Sequence, residues 1–260
     1  MSQVSSVPAK RQAVRPMIEV RRLYKSFNGF PVLRGVDLSM NEGTTTVVLG
    51  GSGSGKTVLM KHIIGLLKPD SGEVIVDGEN ISQMERQELA VFRQRMGMVF
   101  QSAALFDSMT VYDNVAFPLR EHTHMSEEEI RARVHEKLAV VDLFGVDEKY
   151  PAELSGGMRK RVGLARAIVR EPKIVLYDEP TTGLDPLTTT SVDEMIISAR
   201  ERLRVTSVVI SHDVGSAFHI ADNIAMLHNG VIVEQGPPAQ LRRSNEPHVK
   251  EFLSTWFDRQ

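Results

Sequence analysis

The chain has 260 residues, of which 42% are hydrophobic and 25% charged, with a formal net charge of −2. That length can bury a substantial core as one large domain or as a domain with a subdomain, and the near balance of charge gives no global argument for nucleic acid as a partner. With no cysteine, disulfides and thiolate metal sites are excluded, and no stretch reaches the roughly 18–20 unbroken apolar residues that cross a bilayer.

Residues 1–16 mix Ser, Gln, Lys10, Arg11 and Arg15 with isolated valines. Lacking a continuous apolar block, they do not read as a secretory signal. They read as a flexible leader, with a basic arm on anionic lipid as the functional alternative. Residues 17–25, 31–40 and 73–76 read as strands separated by turns at Asn28-Gly29 and Asp77-Gly78, which predicts an antiparallel sheet beside the main one. Residues 44–49 read as a buried strand that runs straight into a glycine loop, with a helix predicted over 57–64.

That loop, Gly50-Gly51-Ser52-Gly53-Ser54-Gly55-Lys56-Thr57, fits G-x-x-x-x-G-K-[ST] without adjustment. Its glycines let the backbone wrap around phosphates with N–H groups pointing inward, and the helix that follows adds the positive end of its dipole. Lys56 is suited to the β- and γ-phosphates of ATP, and the Thr57 hydroxyl to Mg²⁺. A strand before the loop and a helix after it give this reading its specificity.

Residues 110–153 change to helical character. Ser126 with Glu129 makes a capping box for a helix predicted to run to Val141, and a helical subdomain over about 102–165 is expected as an insertion in the α/β core. Residues 173–177 and 206–210 are continuously apolar, as expected of parallel strands covered on both faces. The first ends in Asp178 and Glu179, at the strand end where ligands sit in such sheets. Asp178 suits a magnesium shell, and Glu179 suits polarising an attacking water. The predicted fold is α/β: a P-loop NTPase core with an antiparallel β subdomain and an inserted α-helical subdomain, over residues 17–240. A C-terminal helical tail is expected over 241–260. Val249, Phe252, Leu253, Trp256 and Phe257 recur there at helical spacing, either to pack on the chain's own core or to dock on a sister subunit.

Leu154-Ser155-Gly156-Gly157-Met158, followed by Arg159-Lys160-Arg161, narrows the class. The chain here resembles the ABC ATPase family, whose hallmark is an LSGGQ-like signature ahead of the second acidic motif; Met158 replaces the commoner glutamine. The resemblance implies a head-to-tail homodimer in which Ser155, Gly156 and Gly157 close over the ATP held on the opposite P-loop. It further implies that Gln101 is the Q-loop residue touching Mg²⁺ and sensing the membrane partner. Asp185, in Gly183-Leu184-Asp185, matches the D-loop at the dimer interface. His212 matches the switch histidine at the γ-phosphate, and Phe27 (or, more weakly, Tyr24) matches the aromatic that stacks on adenine. Glu179, His212 and Lys56 are the implied catalytic set, and Thr57, Gln101 and Asp178 the implied magnesium ligands.

The stretch from Phe100 to Thr123, with the Ser155-Gly156-Gly157-Met158-Arg159-Lys160-Arg161 variant of the signature, is similar to the ATPases of the Mla and MCE phospholipid-transport systems, which work between the inner and outer membranes of Gram-negative bacteria. That resemblance implies a transmembrane permease (MlaE-like), an MCE-domain protein (MlaD-like), a STAS-domain subunit (MlaB-like) and a place on the cytoplasmic face of the inner membrane, with no nucleic acid as partner. An ATPase of a general small-solute importer stays open as the alternative. A DNA-repair or chromosome-organising ATPase is disfavoured because no sustained heptad occurs.

Overall fold

A computed structural model describes residues 16–257; of the leader expected over 1–16, residues 1–15 lie outside the described residues and Pro16 opens the first strand. The chain forms β1 (Pro16–Phe27), β2 (Phe30–Asn41), β3 (Thr45–Leu49), α1 (Lys56–Ile63), β4 (Ser71–Val76), β5 (Glu79–Asn80), α2 (Arg86–Arg93) and β6 (Met96–Val99). Then come α3 (Val111–His122), α4 (Glu127–Val140), α5 (Gly156–Ile168), β7 (Ile174–Asp178), α6 (Pro186–Leu203), β8 (Thr206–Ser211), α7 (Val214–Ile220), β9 (Asn223–His228), β10 (Val231–Gly236), α8 (Pro238–Leu241) and α9 (Pro247–Phe257).

Two sheets result. The smaller is antiparallel in the order β2-β1-β4-β5, and the larger has six strands in the order β10-β9-β3-β8-β7-β6, parallel except for β10. The hairpin turns carry their own chemistry: Asn28-Gly29, Asp77-Gly78 and Asn229-Gly230 all have positive φ at both residues, the backbone that matches the right-handed twist of the flanking strands. Strands β6, β9 and β10 were not among the predicted elements.

The larger sheet is buried on both faces, and alternate residues of each strand enter different cores. Val47, Leu49, Val175, Tyr177 and Val209 join a cluster with residues of α3 to α7 and α9. Val48, Leu176, Val208 and Ile210 join a second cluster with β1, β2, β4, α1 and α2. This two-sided burial explains why β3, β7 and β8 read as unbroken apolar runs.

The helical insertion has capped, cross-linked ends. Thr110 caps α3, and Ser126 with Glu129 forms the predicted capping box on α4, whose last helical residue is Val140 with Val141 as its cap. Arg120 then ties the two helices by reaching Asp113 at 2.8 Å and Glu127 at 2.9 Å. Asn114, fully buried, accepts from the amide of Phe106 and donates to the carbonyls of Phe106, Met109 and Thr110, so it holds the loop that precedes its own helix.

The C-terminal helix packs on the chain's own core. Val249 and Leu253 are buried in the helix-side cluster, with Phe252 and Trp256 half-buried against it; the side chain of Phe257 lies outside the described part.

Between α6 and α7 sits a buried acid. Asp193 is 4% exposed and accepts a hydrogen bond from Ser216, and burial pushes its carboxyl up to about 6. A carboxyl raised in the folded state above its unfolded value costs stability once ionised, so this cost is absent below the unfolded value, grows as pH rises through about 6, and is full above it. Asp193→Asn is therefore expected to stabilise the chain by roughly 2 kcal/mol at pH 8, with the gain shrinking toward pH 4. Thermal melts of both proteins across that range check this, and a gain that grows on acidification contradicts it.

Candidate active site

The site is assembled at one edge of the larger sheet. The parallel register pairs Leu49 with Ser211, Asp178 with Ile210 and Val99 with Tyr177, so β3, β6, β7 and β8 end side by side. The segments leaving those ends carry the glycine loop, Gln101, Glu179 and His212. They line one open cleft of about 910 Å³, together with Thr57, Thr182, Asp213, Phe252 and Trp256.

The glycine loop turns from β3 into α1 through left-handed backbone. Gly55, at φ 107°, is the N-cap residue of α1, a conformation that side-chain-bearing residues rarely adopt. Gly51, Ser52, Gly53, Ser54 and Gly55 all line the cleft, together with Lys56 and Thr57 at the start of the helix. Lys56 is buried at the base of the loop. Its ammonium donates to the carbonyls of Gly50 (2.8 Å) and Gly51 (3.0 Å) and lies 3.7 Å from Glu179 Oε1. Burial lowers the Lys56 pKa, and the Glu179 charge opposes that shift.

Glu179 stands one residue past β7 with φ 48°, anchored by its amide to the carbonyl of Ile210 at 2.9 Å. Its carboxylate meets three groups from three segments: Lys56, the Thr182 hydroxyl (donating at 3.1 Å) and Nδ1 of His212 at 2.7 Å. Asp178, at the strand end, is pushed up first by burial and then by the neighbouring Glu179 charge. Thr57, Gln101 and Asp178 supply hydroxyl, amide and carboxylate oxygens, the donors a hard divalent cation takes. This oxygen donor set fits Mg²⁺, and a dication beside Asp178 would offset the burial and the Glu179 charge that raise its pKa.

Gln101 enters the site on a loop that α5 holds from behind. Lys160 donates to the carbonyl of Gln101 itself, and Arg166 donates to the carbonyls of Ala103 and Ala104, both at 2.8 Å. The signature residues begin the same helix. Ser155 caps it by accepting from the amide of Met158 at 3.2 Å, and a Cβ on Gly157 would lie 3.3 Å from the Thr188 side chain. Asp185 caps α6, accepting from the amides of Leu187 and Thr188 at 3.0 and 3.1 Å, and the Thr188 bonds hold its carboxyl below the usual range.

Ser155, Gly156, Gly157 and Asp185 therefore lie together and are not among the residues lining the cleft. Phe27 sits at the β1–β2 hairpin tip, 39% exposed under the Lys25 ammonium, and outside the lining. Tyr24 faces a different, polar cleft with Asp37 and Asp70. Sequence reading missed Thr182, Asp213, Phe252 and Trp256 as site neighbours. Thr182 had a usable signal, three residues past an acidic strand end; the tail aromatics had none.

Comparison with known proteins places this geometry in a family. A model of the ABC transporter family, with this description, matches residues 33–182. The probable ribonucleotide transport ATP-binding protein mkl of Mycobacterium tuberculosis is 46% identical over 91% of the chain, which spans 66% of that protein's length. The intermembrane phospholipid transport system ATP-binding protein MlaF of Escherichia coli is 41% identical over 93% of the chain and 90% of its own length. Among solved structures, cbiO1 of Clostridium perfringens, part of an ABC transporter complex, superposes with a TM-score of 0.83 at 30% identity, over 94% of this chain and 96% of that one. The dimeric post-hydrolysis ATP-binding cassette MJ0796, with ADP and Pi, does so at 0.76 and 31% identity, over 85% of this chain and 99% of its own. No helix among the described residues is long and apolar enough to cross a membrane. With a family model spanning over half of the sequence, and relatives matched across nine tenths of it, the chain belongs to the ABC transporter family as one of its ATP-binding subunits.

Proposed function

We propose that this chain is the ATP-hydrolysing motor subunit of an ABC transporter that moves phospholipid between the inner and outer membranes. The observation that carries the motor reading is the meeting of Lys56, Glu179 and His212 in one cleft, with Glu179 Oε1 3.7 Å from the lysine and Oε2 2.7 Å from the imidazole. ATP lies with its phosphates on the amides of residues 50–57 and its γ-phosphoryl toward Lys56 and His212. Glu179 orients the attacking water, with Thr182 and His212 fixing the carboxylate. Magnesium held by Thr57, Gln101 and Asp178 neutralises phosphate charge when bound. Phe27 is the candidate adenine contact at the hairpin tip.

Ser155, Gly156 and Gly157 form a helix N-terminus that does not line the chain's own cleft, which supports their use on the ATP of a second copy, with Asp185 at the same interface. The working unit is then a head-to-tail homodimer. A second groove supports the membrane partner: Phe100, Phe106, Phe117, Pro118, Met96 and Met98 line it immediately beside the Gln101 loop, with Phe100 and Phe106 about two fifths exposed. A permease element seated there would feel any movement of Gln101. An MlaE-like permease, an MlaD-like MCE-domain protein and an MlaB-like STAS-domain subunit are the partners this reading names, with the chain at the cytoplasmic face of the inner membrane. Residues 17–240 form the ATPase domain, about 102–165 its helical subdomain, and 241–260 the tail.

The name MlaF, on relatives matched over 90% of their length, supports the lipid cargo. The mycobacterial name supports a second reading, transport of a small solute such as a ribonucleotide. Affinity capture from detergent extract with this chain as bait separates them: a permease with an MCE-domain protein supports lipid, and a permease with a soluble solute receptor supports the alternative.

Glu179→Gln is expected to bind ATP normally, lose turnover by roughly 100-fold or more, and accumulate as a dimer on size-exclusion chromatography with ATP; undiminished hydrolysis removes Glu179 from its role. Lys56→Ala is expected to lose ATP affinity and turnover together, measured by nucleotide binding and phosphate release. Cysteines introduced at Ser54 and Gly156 should crosslink between two chains in the presence of ATP, and crosslinks confined to single chains would falsify the head-to-tail pairing.

A further inference from the structure

The cleft has a wall that the family motifs do not supply. Phe252 and Trp256, one turn apart on α9, line it beside His212, Asp213 and Val214. Their helix is seated by neighbours on the same apolar stripe: Val249 and Leu253 are buried in the core, and the adjacent His248 ring stacks on His228 with centroids 4.0 Å apart and planes 16° apart. The aromatic face is therefore presented to the cleft by a seated helix.

Gly215 shows where the indole presses. It lies in α7, and its φ is not in the left-handed region, so the backbone there does not call for glycine, a residue that weakens a helix relative to alanine. Space does. A Cβ at this position would lie 3.1 Å from Cζ2 and 3.4 Å from Cε2 of Trp256, and 3.4 Å from the Asp213 carboxylate. An alanine methyl here would press on the indole, which would have to give by a few tenths of an ångström.

The contact falls at the start of α7, where Asp213 caps the helix by accepting from the amide of Ser216 at 3.2 Å. His212 is the residue before that cap. Its imidazole is 55% exposed and reaches Glu179 at 2.7 Å, so its placement depends on where the cap holds its backbone. A continuous set of contacts runs from Trp256 through Gly215 and the Asp213 cap to His212 and Glu179.

We propose that Trp256 is a positioning residue of the ATPase site: by packing on Gly215 it fixes the start of α7 and so holds His212 against Glu179. This rests on the reading of Glu179 and His212 as the hydrolytic pair. The C-terminal helix then belongs to the site of its own chain, and displacing it would slow hydrolysis without emptying the phosphate loop.

The test uses the full chain with its membrane partner, comparing Trp256→Ala, Trp256→Phe and Gly215→Ala, with Glu179→Gln as reference. Trp256→Ala should lower kcat per nucleotide-binding site at least about fivefold with KM for ATP within about twofold of wild type, because Lys56 and the loop amides are untouched. Trp256→Phe should recover most of the loss by keeping a ring against Gly215. Gly215→Ala, which improves helix propensity, should reproduce the loss by pushing the indole away; it also keeps the test open should Trp256→Ala fold poorly. Trp256 is the chain's single tryptophan, so its emission reports this contact directly and should shift when ATP is added to Glu179→Gln. Wild-type kcat in Gly215→Ala or in folded Trp256→Ala, with Glu179→Gln inactive, overturns the assignment of Trp256 alone. Wild-type turnover by Glu179→Gln overturns the active-site reading beneath it.

Discussion

The structure depends on one constraint, the parallel register of β3, β6, β7 and β8. Parallel strands paired in step must finish together, and here they finish as Leu49, Val99, Asp178 and Ser211. Every polar group of the site leaves the sheet from those ends. A shift of a single residue in any pairing would turn its strand's side chains to the other core. Because both cores are tightly filled, that shift is forbidden, and the apolar packing of Val47, Val175, Tyr177 and Val209 therefore fixes where Lys56, Glu179 and His212 meet.

That meeting is electrostatically demanding. Lys56 is buried, which lowers its pKa, and the Glu179 charge opposes that shift while the Gly50 and Gly51 carbonyls accept from its ammonium. Asp178 is raised by the same burial and by its neighbour. The site thus gathers two carboxylates, an ammonium and an imidazole in partial isolation from water, a condition in which a phosphate chain and its cation interact strongly. Glu179 is positioned by strained backbone, a φ of 48°, and the hydrogen bond that its amide donates to the Ile210 carbonyl holds it there.

Helix α5 joins the parts that must work together. Its first residues belong to the signature, Lys160 in its second turn holds the carbonyl of Gln101, and Arg166 near its end holds Ala103 and Ala104. Gly163 lets the helix approach closely, since a Cβ there would lie 3.1 Å from that of Ala103. One helix thus joins the signature end to the Gln101 loop, which lies beside the apolar groove of Phe100 and Phe106.

Much of this was legible in the sequence, because the decisive signals are local. A glycine loop between a strand and a helix, an acidic pair at an apolar strand end, Asn-Gly and Asp-Gly turns and a Ser-to-Glu capping box each state their conformation within a few residues. The sequence by itself determined the strand that feeds the phosphate loop, the helix that leaves it and the residues at the strand ends. Strands β9 and β10 escaped notice because their alternation is weak, although Asn229-Gly230 marked the turn. Only the tertiary structure decided the sheet order, the alternation of faces between two cores, the buried bonds of Asn114 and the grip of Lys160 on Gln101. It also decided that α9 lies on its own chain, with Trp256 against Gly215. Such contacts join residues tens of positions apart, and no local pattern encodes which distant surfaces will meet; that choice is made by the packing of the whole chain.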